Sequence, residues 1–222
     1  MYDLLRGPLV WVAFLIFLGG LIYQVIRFFA LTGSKDPVFY GTALPQEGAG
    51  KKGTTERVTE WVRSLRKTVW YSHTAVMGIT TLFHACLIVT PFFVLGHNLL
   101  LDESWRFRLC SLSERTTDVL TVIVFLCAAY FLIRRLFVAR VRAITSAYDY
   151  GVLLITVAPF VTGFLAYHQW FDYRTVILLH ILAGEVMLVT IPFTKLGHML
   201  FLFLYRFLIG SEHSFSQGSR TW

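Results

Sequence analysis

Five apolar blocks decide what this chain can become, because each is long enough to cross a hydrocarbon core, which takes about 20 helical residues. They run over 8–31, 70–95, 117–138, 148–167 and 175–209. Of 222 residues, 56% are hydrophobic and 15% charged, whereas a soluble domain carries roughly 25% charged residues. Lipid is therefore the expected solvent. The net charge of +7 would otherwise suggest a nucleic-acid partner. The basic residues sit mostly between apolar blocks, where they set membrane topology, so no nucleic acid is expected.

The expected fold is an all-α integral membrane bundle of five transmembrane helices plus one amphipathic surface helix. Arg6 precedes the first block and no small-residue cleavage site follows it, so that block is expected to remain as a helix. The segment 41–53, GTALPQEGAGKKG, reads as a loop. Over 54–69, Val58, Trp61, Val62, Leu65 and Val69 recur at helical spacing while Arg57, Glu60, Arg63, Arg66 and Lys67 take the other faces. Such a helix lies on a membrane surface, against a partner, or over the end of its own bundle. The fifth block is too long for one straight crossing, and Pro192 in its middle predicts a kink or break. A polar tail covers 210–222.

Charge asymmetry predicts the orientation. Segments 32–69 and 139–147 and the tail, with Arg27, Arg134 and Arg135 beside them, hold most of the Lys and Arg. The other side keeps only Arg6, Arg106, Arg108, Arg115 and Arg174. The N-terminus is expected outside and the C-terminus in the cytoplasm of a prokaryotic inner membrane, with lipid as the surrounding partner.

Cysteine usage excludes several cofactors. Cys86 and Cys127 lie in apolar blocks, Cys110 lies in a polar loop, and there is no CxxC or CxxCH. The chain alone cannot build a four-cysteine iron–sulfur cluster or attach c-type haem.

Ionisable side chains are costly at membrane depth, so an intramembrane histidine is a functional candidate. His73 and His84 are eleven residues apart on the second block, and eleven steps of about 100° return within about 20° of the start. His180 and His198 are eighteen apart on the fifth, which returns to about 0°. The two spans run antiparallel, so His73 is expected to meet His198 near the inner end and His84 to meet His180 closer to the outer side. Each couple supplies two axial imidazoles to one iron, giving two b haems inside the bundle. The axial separations, about 16 Å and 27 Å at 1.5 Å per residue, differ, and the break at Pro192 is expected to absorb the difference. Gly184, one turn after His180, and Gly197, beside His198, would let a flat ring approach, or serve ordinary helix packing. A proton-relay transporter is the rival class. It would bring further buried acids, and only Glu185 lies in mid-membrane.

These residues also carry a family resemblance. The second span reads H-x10-H followed by Ala-Cys-Leu-Ile-Val-Thr90-Pro91, and the fifth reads His180-x3-Gly184, then Ile191-Pro192-Phe193-Thr194-Lys195-Leu196-x-His198. This resembles the gamma subunit of respiratory nitrate reductase, the NarI-like cytochrome b family, over spans two to five. The resemblance implies a five-helix fold with two bis-histidine b haems. Quinol oxidation or quinone reduction would occur at the outer haem, with menaquinone one candidate quinone, and electrons would pass through the inner haem to or from a cytoplasmic iron–sulfur subunit. The short chain looks most like the cytochrome b subunits of sulfate-reducer high-molecular-weight-cytochrome (Hmc) and tetrahaem-cytochrome (Tmc) complexes. That likeness implies a periplasmic multihaem cytochrome c and other membrane subunits as partners.

The chain departs from the family where a Gly precedes the second ligand of helix two and a loop Lys contacts quinone. Phe83 stands at the first place, and no lysine occurs between Lys67 and Lys195. A quinone site is then remodelled around His97, Arg106 and Arg108 in the loop 96–116, or absent. In the latter case the haems would relay electrons between subunits without touching quinone. His97 otherwise reads as a solvated loop histidine, and His168 and His213 have no in-phase partner. Lys195 lies about 60° from the His198 face, within reach of a haem propionate or of the interface. The run Arg134, Arg135, Arg140, Arg142 reads as a topology signal or a docking surface.

Overall fold

The computed structural model describes residues 4–32 and 74–198, and among them every regular element is helical. A π-helical turn, Leu5–Leu9, leads into α1, Val10–Thr32. There follow α2, Thr74–Phe93, α3, Leu95–Trp105, and α4, Glu114–Phe137. The rest comprises a short α5, Ala139–Arg142, then α6, Ala147–His168, and α7, Tyr173–Thr190. Among the described residues five helices are long and apolar enough to span a membrane: Leu5–Ala30, Thr74–Phe93, Glu114–Phe137, Ala147–His168 and Tyr173–Phe193. The expected amphipathic helix 54–69, the tail and His73 lie outside the described residues. Residues 4–20 and 78–198 belong to one unit, and every contact given below lies within it.

Helix ends follow from local chemistry. Ser113 caps α4, its hydroxyl accepting from the Thr116 N–H (3.3 Å), with Glu114 in the first turn and Arg134 and Arg135 in the last. Both charge placements complement the helix dipole. The Asp149 carboxylate accepts from the Ser146 N–H at the start of α6 (2.9 Å). Asp172 caps α7, accepting from the Thr175 N–H (2.9 Å) and hydroxyl (2.7 Å), and these bonds hold its carboxyl below the ordinary aspartate value.

Two breaks matter for function. The second apolar block was expected to run to residue 95 and then enter a loop. Instead α2 stops at Phe93, Val94 is extended (φ −67°, ψ 135°), and α3 begins at Leu95. Pro91 withholds a backbone donor just before the break, and the Asn98 side chain binds carbonyls at it. That side chain is fully buried and donates to Phe92 O (3.0 Å) and Val94 O (3.1 Å), while its Oδ1 accepts from the Leu109 N–H (3.0 Å). At the other break α7 ends at Thr190, and Ile191–Phe193 and Lys195–Gly197 form 3-10 turns around an extended Thr194, as Pro192 predicts.

Spans α2, α4 and α6 share a core of Phe83, Cys86, Val124, Cys127 and Ala128, flanked by Leu153, Val157 and Phe160. Phe83 packs edge-on against Phe131, with ring centroids 5.2 Å apart. The first span rests on α7: a Cβ added to Gly20 would meet the Pro192 ring at 2.6 Å, so the two backbones approach as only glycine allows. Trp11 against Trp105 (5.9 Å) and Arg6 with Glu103 (3.6 Å) join the start of that span to α3.

Candidate functional site

His180 lies two turns into α7, facing α6. Its Nδ1 donates to the Pro159 carbonyl at 2.9 Å, with the Thr162 hydroxyl 3.4 Å away. The ring fits there because residue 163 is glycine. A Cβ at that position would lie 2.9 Å from His180 Cε1 and 3.1 Å from Nδ1, inside van der Waals contact.

His97 is placed by the break at Val94. It sits in the first turn of α3, half-buried, and its Nδ1 reaches back across the break to the Pro91 carbonyl at 2.8 Å. The neighbouring Asn98 fixes that corner through its three buried hydrogen bonds. His84 lies mid-way along α2 with Nδ1 bonded to Thr80 O of its own helix at 2.7 Å. His198 follows the last 3-10 turn, with Nδ1 bonded to Lys195 O at 2.6 Å.

Each of the four rings turns Nδ1 to a backbone carbonyl, which can only accept, so Nδ1 donates and Nε2 is the nitrogen left to ligate. This is how metal-ligating imidazoles are oriented, the outer nitrogen fixing tautomer and ring direction. The rings also stand in pairs. His84 and His198 have centroids 5.7 Å apart with planes 85° to each other, and His97 and His180 are 5.9 Å apart at 23°. Two imidazoles on opposite sides of one metal, each bonded at about 2 Å, put their centroids about 6 Å apart.

These are not the expected couples. His84 was assigned to His180, and the structure sets it beside His198; His180 is joined by His97, which read as a loop residue or quinone contact. The physical reason is the break at Val94, which carries the chain past the end of α2 and turns residue 97 back toward α7. Counted along the chain, thirteen residues separate His84 from His97 and eighteen separate His180 from His198, a smaller mismatch than eleven against eighteen, and the irregular turns at 191–197 fall within the longer stretch.

The other candidates are placed as follows. A Cβ on Gly184 would meet nothing within 4 Å, whereas Gly197 is buried. The Lys195 ammonium donates to the Asp149 carboxylate at 2.7 Å and its N–H to the Tyr148 hydroxyl at 3.2 Å, so the partner in the structure is the start of α6. Arg106 and Arg108 are exposed beyond α3, Arg106 ending that helix in the left-handed conformation at φ 55°. His168 Nε2 lies 3.4 Å from Asp118, linking α4 to α6. Sequence reasoning missed the ring partnership of His97, and with it Asn98 and Gly163. Pro91, Gly96 and Asn98 within eight residues were the available sign that the helix breaks there.

No family model matches the chain. No solved structure matches it either. A curated protein of Nitratidesulfovibrio vulgaris (strain Hildenborough) is 34% identical over 222 residues, covering 100% of this chain and 97% of the relative, and its name states no activity.

Proposed function

The chain belongs to one family with that relative, and we propose, from its own side chains, that it is a dihaem cytochrome b membrane subunit. The observation carrying this reading is the four imidazoles with carbonyl-bound Nδ1, free Nε2 and ring centroids 5.7 Å and 5.9 Å apart in two pairs. A zinc or non-haem site takes three or four protein donors at one point. Among the described residues no three His, Cys, Asp or Glu side chains converge so. Paired imidazoles suit a macrocycle that brings four nitrogens and leaves two axial positions. When bound, such groups supply one-electron chemistry.

The chain's residues then hold and orient. His84 and His198 take one haem, His97 and His180 the other, and Gly163 keeps the wall behind His180 flat. Lys195, whose carbonyl anchors His198, pairs with Asp149 beside the basic end that carries Arg134, Arg135, Arg140 and Arg142. Positive residues favour the cytoplasmic side, so His84–His198 is the inner pair, His97–His180 the outer, and the N-terminus is outside. The basic end is the docking face for a cytoplasmic iron–sulfur subunit. At the outer end the partner is the menaquinone pool, a periplasmic multihaem cytochrome c, or both.

One observation favours a relay without quinone. His97 is committed to His180, which leaves the remodelled quinone site only the exposed Arg106 and Arg108. Titration of the intact complex with the quinol analogue HQNO separates the readings. Saturable binding that perturbs the outer haem supports a quinone site; no binding leaves a relay between subunits. The haem reading itself is tested by a reduced-minus-oxidised optical spectrum of the purified chain. A low-spin b-type spectrum is expected, and a featureless one overturns the assignment.

A further inference from the structure

Among the described residues Glu185 is the one buried acid, 6% exposed, and neither carboxyl oxygen has a hydrogen-bond partner. It lies on α7 five residues after His180 and thirteen before His198, between the two ligand positions of that part of the chain. The elements packed most closely on α7 are α6, the π-helical turn Leu5–Leu9 and the turn at Pro192, and α3 reaches it through His97. The first span starts against α7 and reaches Pro192 with Gly20, so the two run in the same direction. At equal rise, Ala13 (3% exposed) stands level with Glu185.

The charged groups these elements carry lie toward their ends: Arg6 of the π-helical turn pairs with Glu103, Asp149 of α6 with Lys195, and His168 lies beside Asp118. The first span has no titratable side chain between Arg6 and Tyr23, and α6 has none between Tyr150 and Tyr167. Within 175–190 the only other titratable group is His180, and Lys195 is bonded to Asp149. An unpaired carboxylate at this depth is costly, so the group carries its proton unless a positive charge is brought near. A bis-imidazole haem brings such a charge in one oxidation state only: its core is singly positive when ferric and neutral when ferrous.

We propose that Glu185 is a redox-linked proton-binding site, ionised while the His97–His180 haem is ferric and gaining one proton from water for each electron that haem receives. One electron and one proton enter together, and both leave on reoxidation, so the bundle interior stays neutral. This rests on the haem reading above. The site takes a proton alone, with no organic ligand, and gives the chain a way to couple electron passage to protons on the seam between α7 and the first span.

The test uses the full haem-loaded chain in detergent. Redox-difference infrared spectra should show a protonated-carboxyl C=O band on reduction in the native chain. That band should vanish in Glu185→Gln and reappear shifted in Glu185→Asp. The midpoint potential of the outer haem should fall with rising pH in the native chain and lose that dependence in Glu185→Gln. If both variants bind haem and keep the native band and pH dependence, the proposal is overturned and the haem reading stands. Absence of haem from the native chain overturns the haem reading instead.

Discussion

The imidazole of His97 lies 5.9 Å from that of His180, with the two ring planes 23° apart, although 83 residues separate them in the chain. Asn98 and Pro91 bring one ring to the site, and Pro159 and Gly163 receive the other.

The pairing sets what ligand variants should do. His97→Ala and His180→Ala are each expected to remove the same spectral component, and His84→Ala and His198→Ala the other. His73→Ala should leave both in place. Difference spectra of the five single variants check this. Loss of a haem in His73→Ala with retention in His97→Ala would restore the couples first expected from helix phase.

Gly163→Ala adds a methyl group 2.9 Å from His180 Cε1. Overpacking of this kind costs about 1–3 kcal/mol, which should weaken retention of the outer haem by roughly 5- to 150-fold. The inner haem should be unaffected. Haem transfer to apomyoglobin, followed separately for the two components, measures it.

The spans and the break at Pro192 were legible because they rest on block length and on a residue that cannot donate. Helix phase is a weaker guide, since it assumes one unbroken helix. From His84, thirteen steps of about 100° leave residue 97 about 220° away, on the far side. The extended Val94 resets that phase, so His97 faces α7 after all. Gly163 was hidden for another reason: nothing in α6 shows which helix will press a ring against it.

Ring orientation should distinguish the haems. If the two pairs each hold a haem, the nearly parallel planes of His97–His180 would split the iron d-orbitals rhombically. Nearly perpendicular ones, at 85° for His84–His198, would leave two of them almost degenerate. Electron paramagnetic resonance of the oxidised protein should therefore show one ordinary rhombic low-spin signal and one highly anisotropic one. Assignment follows from His180→Ala, which should remove the rhombic signal. Two identical rhombic signals would contradict the geometry.

Asn98→Ala removes two donated bonds and one accepted bond from a fully buried position. Leaving such groups unpaired costs about 1–3 kcal/mol each. The loss falls on the corner that carries His97, so the outer haem should dissociate at lower temperature while the inner one follows the native melting curve. Thermal melts monitored in the haem band read both.

The most direct measurement is the haem count of the purified, intact chain by pyridine haemochrome. Two non-covalently bound b haems per chain are expected, one for each histidine pair. A value of one, or none, would contradict the assignment of His84–His198 and His97–His180 as two axial ligand sets.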